Sequence, residues 1–325
     1  MLDRGAMVTV LARESLPHIA VGCMNFGQRT PEEESARILA RALERGVAWL
    51  DTANVYNDGE SERIVGRAIA RDRARCLVAT KVGLARTSGK PEGLAPERVL
   101  RAIDESLGRL KLDHVDVYYL HAPDRMTPIA ETLSAIEEIL RAGKARAWGV
   151  SNFASWQVLD AMNVADARGM PRPIVAQQMY NAMIRQLDVE WFAFARVHPI
   201  HTTIYNPLAG GLLTGKHARS SGPAKGSRFD GNRMYQRRYW TERMFDFVDA
   251  LSGIAKDAGL TLVELAYVFC AQRAGVDSVL LGPATVEQLD AGIDACQRPA
   301  LADGVRAKLD ELHVAFQGTD ATYAR

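Results

Sequence analysis

The sequence lacks a long apolar run, a close cysteine pair and an excess of either charge. No apolar stretch approaches the roughly 18 residues of a membrane-spanning helix, so no membrane association is expected. The cysteines Cys23, Cys76, Cys270 and Cys296 lie far apart with no CxxC pair, which argues against both a zinc ribbon and a disulfide scaffold. No His/Cys/Asp cluster has metal-ligand spacing, so no metal is expected. Lys plus Arg number 40 and Asp plus Glu 39, a formal charge of +1, so a nucleic-acid partner is not expected. The stretch Met1 to Val10 has no charged segment followed by an apolar core, and a cytoplasmic location is the expectation. No GxGxxG follows the first strand signal, so the usual dinucleotide fingerprint is missing.

What is present is ordinary for a globular protein: 47% hydrophobic and 24% charged residues. The 325 residues suggest two domains by length alone, although one α/β barrel also fills this length. Short runs rich in Val, Ile and Tyr alternate with longer stretches of helical period. Thr30 is a plausible N-cap with Pro31 at N1 of a first helix that stops at Gly46. Further helices are expected at Glu62–Ala70, Pro96–Leu110, Ile129–Arg141, Ser155–Ala167, Asp188–Val197 and Val263–Ala274. The matching strands are Ile19–Gly22, Val47–Asp51, Cys76–Thr80, Val115–Leu120, Ala145–Val150, Ile174–Gln178, Ile200–Tyr205 and Ser278–Leu281. Strands separated by helices must run parallel, because each return needs a crossover. About eight such units suggest a (β/α)8 TIM barrel, with an open doubly wound sheet as the alternative.

The segment Lys216 to Thr241 breaks the rhythm. It carries Lys225, Arg228, Arg233, Arg237 and Arg238 with Tyr235, Tyr239 and Trp240 interleaved. It reads either as a solvated face or as a lid over an anionic ligand.

Polar residues at the C-terminal ends of barrel strands are the first candidates for chemistry. Asp51, Lys81 and His121 end three strands, and Tyr56 follows the first of these. Each alone has an ordinary explanation as a turn cap, a solvated end or a packing residue. Together they form a unit: an ammonium beside a phenol lowers its pKa, a carboxylate holds the ammonium, and an imidazole can bond a carbonyl oxygen. Such a set suits proton delivery to a carbonyl.

These residues sit in longer motifs. Asp51-Thr52-Ala53-Asn54-Val55-Tyr56 with Gly59-Glu60-Ser61-Glu62, Ala79-Thr80-Lys81, Tyr119-Leu120-His121, Gly149-Val150-Ser151-Asn152-Phe153 and Gln177-Gln178-Met179-Tyr180-Asn181 resemble the aldo-keto reductase superfamily, in family order. The run Tyr205 to Lys216, with Arg228-Phe229, Gly231-Asn232, Arg238-Tyr239-Trp240 and Tyr323-Ala324-Arg325, is similar to its aflatoxin aldehyde and succinic semialdehyde reductase branch.

The resemblance implies a single barrel domain over 1–325, with an N-terminal segment 1–17, a cofactor and substrate loop 216–241 after strand 7, and a C-terminal tail 317–325 over the active site. It implies NADPH rather than NADH as cofactor, with Tyr56 as the proton donor, Lys81 and Asp51 tuning it and His121 orienting the carbonyl. Ser151, Asn152 and Gln177 would hold the carboxamide and Tyr205 would stack on the nicotinamide. Asn206, Pro207, Leu208, Gly210, Gly211, Leu213, Gly215 and Lys216 would wrap the pyrophosphate. Gly282, Ala284, Thr285 and Gln288 would lie at the adenine end, joined by Arg228 and Asn232. That run carries no basic residue, so the 2′-phosphate contact falls to Lys216, Lys225 or Arg228. Met24, Tyr56, His121, Arg228, Arg238 and Arg325 are the expected substrate contacts. The expected substrate is a small aldehyde bearing a carboxylate, or a dicarbonyl. Two other readings stay open: an NADP(H)-binding regulatory subunit with slow turnover, and an isomerase or aldolase on the same fold. Assembly as a homodimer is compatible with all three.

Overall fold

Eight strands close into one parallel barrel in the computed structural model, which describes residues 11–87 and 89–318. They are β1 (Ile19–Gly22), β2 (Trp49–Asp51), β3 (Leu77–Val82), β4 (Val115–Leu120), β5 (Ala145–Ser151), β6 (Val175–Met179), β7 (His201–Tyr205) and β8 (Ser278–Leu281). Neighbours in sequence are neighbours in the sheet, and β8 closes on β1 with Ile19 opposite Val279. The open-sheet alternative is thereby excluded.

The helices are α1 (Glu32–Glu44), α2 (Glu60–Ala68), α3 (Pro96–Leu110), α4 (Ile129–Arg141), α5 (Ser155–Ala167), α6 (Trp191–Val197), α7 (Arg233–Tyr239), α8 (Glu242–Asp257), α9 (Leu262–Ala271), α10 (Val286–Cys296) and α11 (Asp303–Gln317). Each of α1 to α5 buries an apolar stripe against the barrel, as Ile38, Leu39 and Ala42 do on α1. The core has two parts. The larger fills the space between helices and sheet; a smaller one, with Ala20, Trp49, Ala79, Val117, Tyr119 and Val175, plugs the barrel interior. The lumen is therefore a packed core, and chemistry is confined to its mouth.

Several boundaries differ from expectation. Pro31, not Thr30, holds the N-cap position of α1, and no side chain caps it. The Thr30 hydroxyl instead donates to the Ala284 carbonyl at 3.4 Å. Helix α2 starts one residue after Gly59 rather than at Glu62, and α6 begins at Trp191 rather than Asp188. The 216–241 segment has structure of its own: a turn of 3-10 helix at Arg219–Ser221 and the helix α7, capped by the Asn232 side chain. A short antiparallel hairpin pairs Arg86–Thr87 with Lys90–Pro91. All four cysteines are buried and free. Among the described residues no helix is long and apolar enough to cross a membrane, and no His/Cys/Asp/Glu group could hold a metal ion.

Candidate active site

The barrel mouth gathers Asp51, Tyr56, Lys81 and His121. Asp51 is the last residue of β2 and Lys81 the fifth of β3, so both side chains point into the lumen, where they are 1% and 0% exposed. The Lys81 ammonium pairs with the Asp51 carboxylate and also donates to the Thr52 carbonyl at 2.8 Å. Its third neighbour is the Tyr56 hydroxyl, 3.4 Å away. The Asp51 carboxylate accepts a second bond, from Gln177 Nε2 on β6 at 2.9 Å. His121 follows β4, and its ring meets the Tyr56 ring edge to face at 5.7 Å between centroids.

Burial shapes the electrostatics. Burial pushes the Asp51 carboxyl up, while Lys81 and Gln177 pull the other way. Burial alone would lower the Lys81 ammonium, but Asp51 and Tyr56 outweigh it and hold it above the usual lysine value. With two donors on the carboxylate, the ion-paired form is the one this geometry fits. The Tyr56 phenol rises above its ordinary value, because burial exceeds the opposing pull of Lys81. The sequence reading expects the ammonium to lower it. That expectation is corrected: in the free protein the phenol is firmly protonated, the form that can give a proton. Burial and the Lys81 charge push His121 well below the ordinary histidine range. Its Nδ1 is buried with no partner, which also selects the uncharged ring.

The residues expected to hold a cofactor line the same mouth. Asn152, in the left-handed region at φ 62°, donates to the His121 carbonyl at 2.9 Å and to Ser151 Oγ at 3.0 Å. Its Oδ1 accepts from the Tyr205 hydroxyl at 2.6 Å, which ties β5 to β7. Asn206 organises the next turn: its Oδ1 accepts from the Gly210 amide and its Nδ2 donates to the Tyr239 hydroxyl, both at 2.6 Å. Pro207 and Leu208 lead into backbone that is left-handed at Gly210 and Gly211, with φ 70° and 101°. A Cβ at Gly210 would lie 2.7 Å from Tyr235, whereas one at Gly211 would meet only the His217 ring at 3.8 Å. Leu213 is buried beneath this turn, and Gly215 and Lys216 are exposed beyond it. At the far end Gln288 and Thr285 are turned toward their own helix. Gln288 Oε1 accepts from the Ala284 amide at 2.9 Å, and Thr285 caps α10. The Gly282 carbonyl accepts from Asn25 at 3.3 Å.

Arg228 and Arg238 come together on Tyr235, their guanidinium carbons 5.5 and 5.8 Å from its ring centre. Arg228 also donates to Asn25 Oδ1 at 2.7 Å and to the Met24 sulfur at 3.0 Å. Arg238 reaches the Met179 sulfur at 3.3 Å. The expected contact at Arg325, and most of the C-terminal tail, lie outside the described residues. The sequence reading missed Asn25, Asn181 and the bridging role of Tyr235. Asn181 donates to the Asn206 carbonyl at 3.1 Å. Its place in the Gln177–Asn181 motif was the signal available.

Comparison with known proteins agrees with this geometry. Residues 18–313 match the model of the aldo/keto reductase family. The chain is 35% identical to aflatoxin B1 aldehyde reductase member 2 of Homo sapiens over 319 residues, covering 92% of this chain and 88% of that protein. It is 34% identical to aldo-keto reductase family 7 member A3 of Homo sapiens, covering 89% and 91%. It is also 32% identical to a probable voltage-gated potassium channel subunit beta of Arabidopsis thaliana, covering 89% and 90%. A closed parallel barrel, a polar quartet at its mouth and a match spanning nearly the whole chain lead to one conclusion: the chain belongs to the aldo/keto reductase family, oxidoreductases acting on carbonyl groups.

Proposed function

We propose that this protein reduces aldehydes to alcohols with NADPH, Tyr56 being the proton donor. The observation that carries the reading is the Lys81 ammonium 3.4 Å from the Tyr56 hydroxyl, with a neutral His121 ring beside both. When bound, NADPH supplies the hydride that adds to the carbonyl carbon. The Tyr56 O–H gives its proton to the carbonyl oxygen, and the phenolate that remains is stabilised by the adjacent ammonium. Asp51 keeps that ammonium charged and in place. His121 donates a hydrogen bond to the same oxygen and polarises the carbonyl before the proton moves.

The donor set fits a dinucleotide phosphate. The bare backbone at Gly211 leaves room for close approach, Gly210 is closed off by the Tyr235 ring, and Lys216 and Arg228 supply charge. Asn152, Ser151 and Tyr205 form a polar shelf beside His121. Arg228 and Arg238 suit a carboxylate-bearing or dicarbonyl substrate, because a guanidinium fork matches two oxygens. The aflatoxin aldehyde reductases among the relatives support an aldehyde substrate. The whole chain is read as one barrel domain acting in the cytoplasm.

The test is NADPH oxidation over a panel of aldehydes, with NADH in parallel. Tyr56→Phe should lower kcat by about 10²- to 10⁴-fold while NADPH binding persists. Arg238→Ala should raise KM for succinic semialdehyde more than for a neutral aldehyde. Wild-type turnover by Tyr56→Phe would overturn the assignment. The likeness to a channel beta subunit favours a second reading, a cofactor-binding subunit with slow turnover. Tight NADPH binding with no oxidation on any carbonyl would select it.

A further inference from the structure

Behind the barrel wall, outside the site described so far, lies an ion pair between a buried carboxylate and a partly buried guanidinium. Glu62, in the first turn of α2, is fully buried. Its Oε1 accepts from the Thr80 hydroxyl and its Oε2 from Arg109 Nε, each at 2.5 Å. Arg109 comes from the last turn of α3 and is anchored by a bond from Nη2 to Ser106 Oγ at 3.1 Å.

The partners of this pair are adjacent to the reacting groups. Thr80 precedes Lys81 on β3; its side chain leaves the outer face of the strand, and that of Lys81 the inner face. The preceding residue of α2 repeats the pattern: the Ser61 hydroxyl is bonded to Thr52 Oγ1, next to Asp51, and to the Cys23 carbonyl, both at 2.8 Å. On the other side, Arg109 lies against Gly59. A Cβ on Gly59 would fall 2.5 Å from Arg109 Cδ and 2.6 Å from its Nε.

Gly59 ends the turn that Tyr56 begins. That turn holds three consecutive left-handed residues, Asn57, Asp58 and Gly59, at φ 52°, 53° and 80°. Such a run is costly for the two non-glycine residues and persists only where its surroundings impose it. Asn57 Nδ2 fixes one end by donating to the Phe26 carbonyl at 2.6 Å. Arg109 floors the other.

We propose that Glu62 and Arg109 are positioning residues that set the separation between the Tyr56 hydroxyl and the Lys81 ammonium. This rests on the reading of Tyr56 as proton donor and extends it to residues that touch no substrate. A purely stabilising role explains the pair poorly, since burying the Glu62 charge in an ion pair is often no more stabilising than apolar residues of the same shape. The pair joins the turn carrying Tyr56 to the strand carrying Lys81. The charged and titratable groups facing Tyr56 are Lys81, Asp51, His121, Tyr205 and Tyr235, and those around the pair include Glu105 and Tyr118. Lys81 is the cation that opposes burial at Tyr56. If the turn settles away from β3, that opposition weakens and the phenol holds its proton more tightly.

The test compares Arg109→Met, Arg109→Lys and the double variant Glu62→Gln/Arg109→Met, which removes both charges should the single change fail to fold. Arg109→Met or the double variant should lose about 10-fold in kcat. The limb of the kcat profile set by Tyr56, the basic one in carbonyl reduction and the acidic one in alcohol oxidation, should move up by about half to one pH unit. NADPH affinity, read by tryptophan quenching, should stay within about twofold of wild type. Arg109→Lys, which can still pair with Glu62, should recover part of both effects. Folded variants with a wild-type profile would overturn the proposal. So would a fall in activity matched by the loss of folded protein, with the limb unmoved. Tyr56→Phe separates the two levels. If it turns over normally, the Tyr56 assignment fails. If it is inactive while the Arg109 variants behave as wild type, only the positioning role fails.

Discussion

Gln177 on β6 donates to the Asp51 carboxylate that also pairs with Lys81. The family resemblance places Gln177 at the cofactor carboxamide; the structure adds a bond from its side-chain nitrogen to the Asp51 carboxylate beside Lys81 and Tyr56. Gln177→Met should leave one Asp51 oxygen buried without that donor, at a cost of about 1–3 kcal/mol. Urea denaturation of the free protein should detect it. A wild-type midpoint would mean that the bond contributes nothing.

The Lys81–Asp51 pair should behave asymmetrically toward single and double changes. Lys81→Met leaves an uncompensated carboxylate in the lumen and should destabilise by about 3–5 kcal/mol. Adding Asp51→Asn removes that charge and should restore most of the lost stability, yet leave turnover abolished. Thermal melts and NADPH oxidation on the same samples check both halves. Recovered turnover in the double variant would show that the ammonium is dispensable.

Acid should destabilise the fold through His201 at the base of the barrel. Burial pushes this histidine from 6.5 down to about 4, and its Nε2 bonds Ser278 Oγ at 2.5 Å. Between those values the unfolded chain binds a proton that the folded chain does not, so stability falls as pH drops. The slope is at most about 1.4 kcal/mol per pH unit for this group, with full stability above 6.5. His201→Asn should flatten the urea midpoint between pH 6 and 5 (roughly, the middle of that window). His121 and His313 shift in the same direction, so some slope should remain. A slope identical to wild type would remove His201 from the account.

The barrel was legible because eight short, largely apolar runs alternate with helical stretches, as burial on both faces demands, and several of these runs are closed or followed by a polar residue. Asp51, Lys81 and His121 stood out as ionisable groups at such ends. What escaped depends on pairings distant in sequence. Arg109 is 47 residues from Glu62, and neither lies at a strand end. The direction of the Tyr56 shift was misread for a related reason. The sequence shows that a lysine is near, but not how completely the phenol is removed from water. Helices α7, α8, α10 and α11 were missed, and of these α11 buries fully only Leu309, too sparse a stripe to read from periodicity.

Asp51, Lys81 and Gln177 bond to one another, to the Thr52 carbonyl and to Tyr56. These partners belong to barrel strands or to the turn after β2. The hydrogen-bond network proposed to deliver the proton is therefore built from the barrel strands and the turn after β2, and the 216–241 segment and the 86–91 hairpin contribute no bond to it. Exchanging those loops for others should redirect the protein to new carbonyl compounds without rebuilding its chemistry, which makes the barrel a natural chassis for re-targeting.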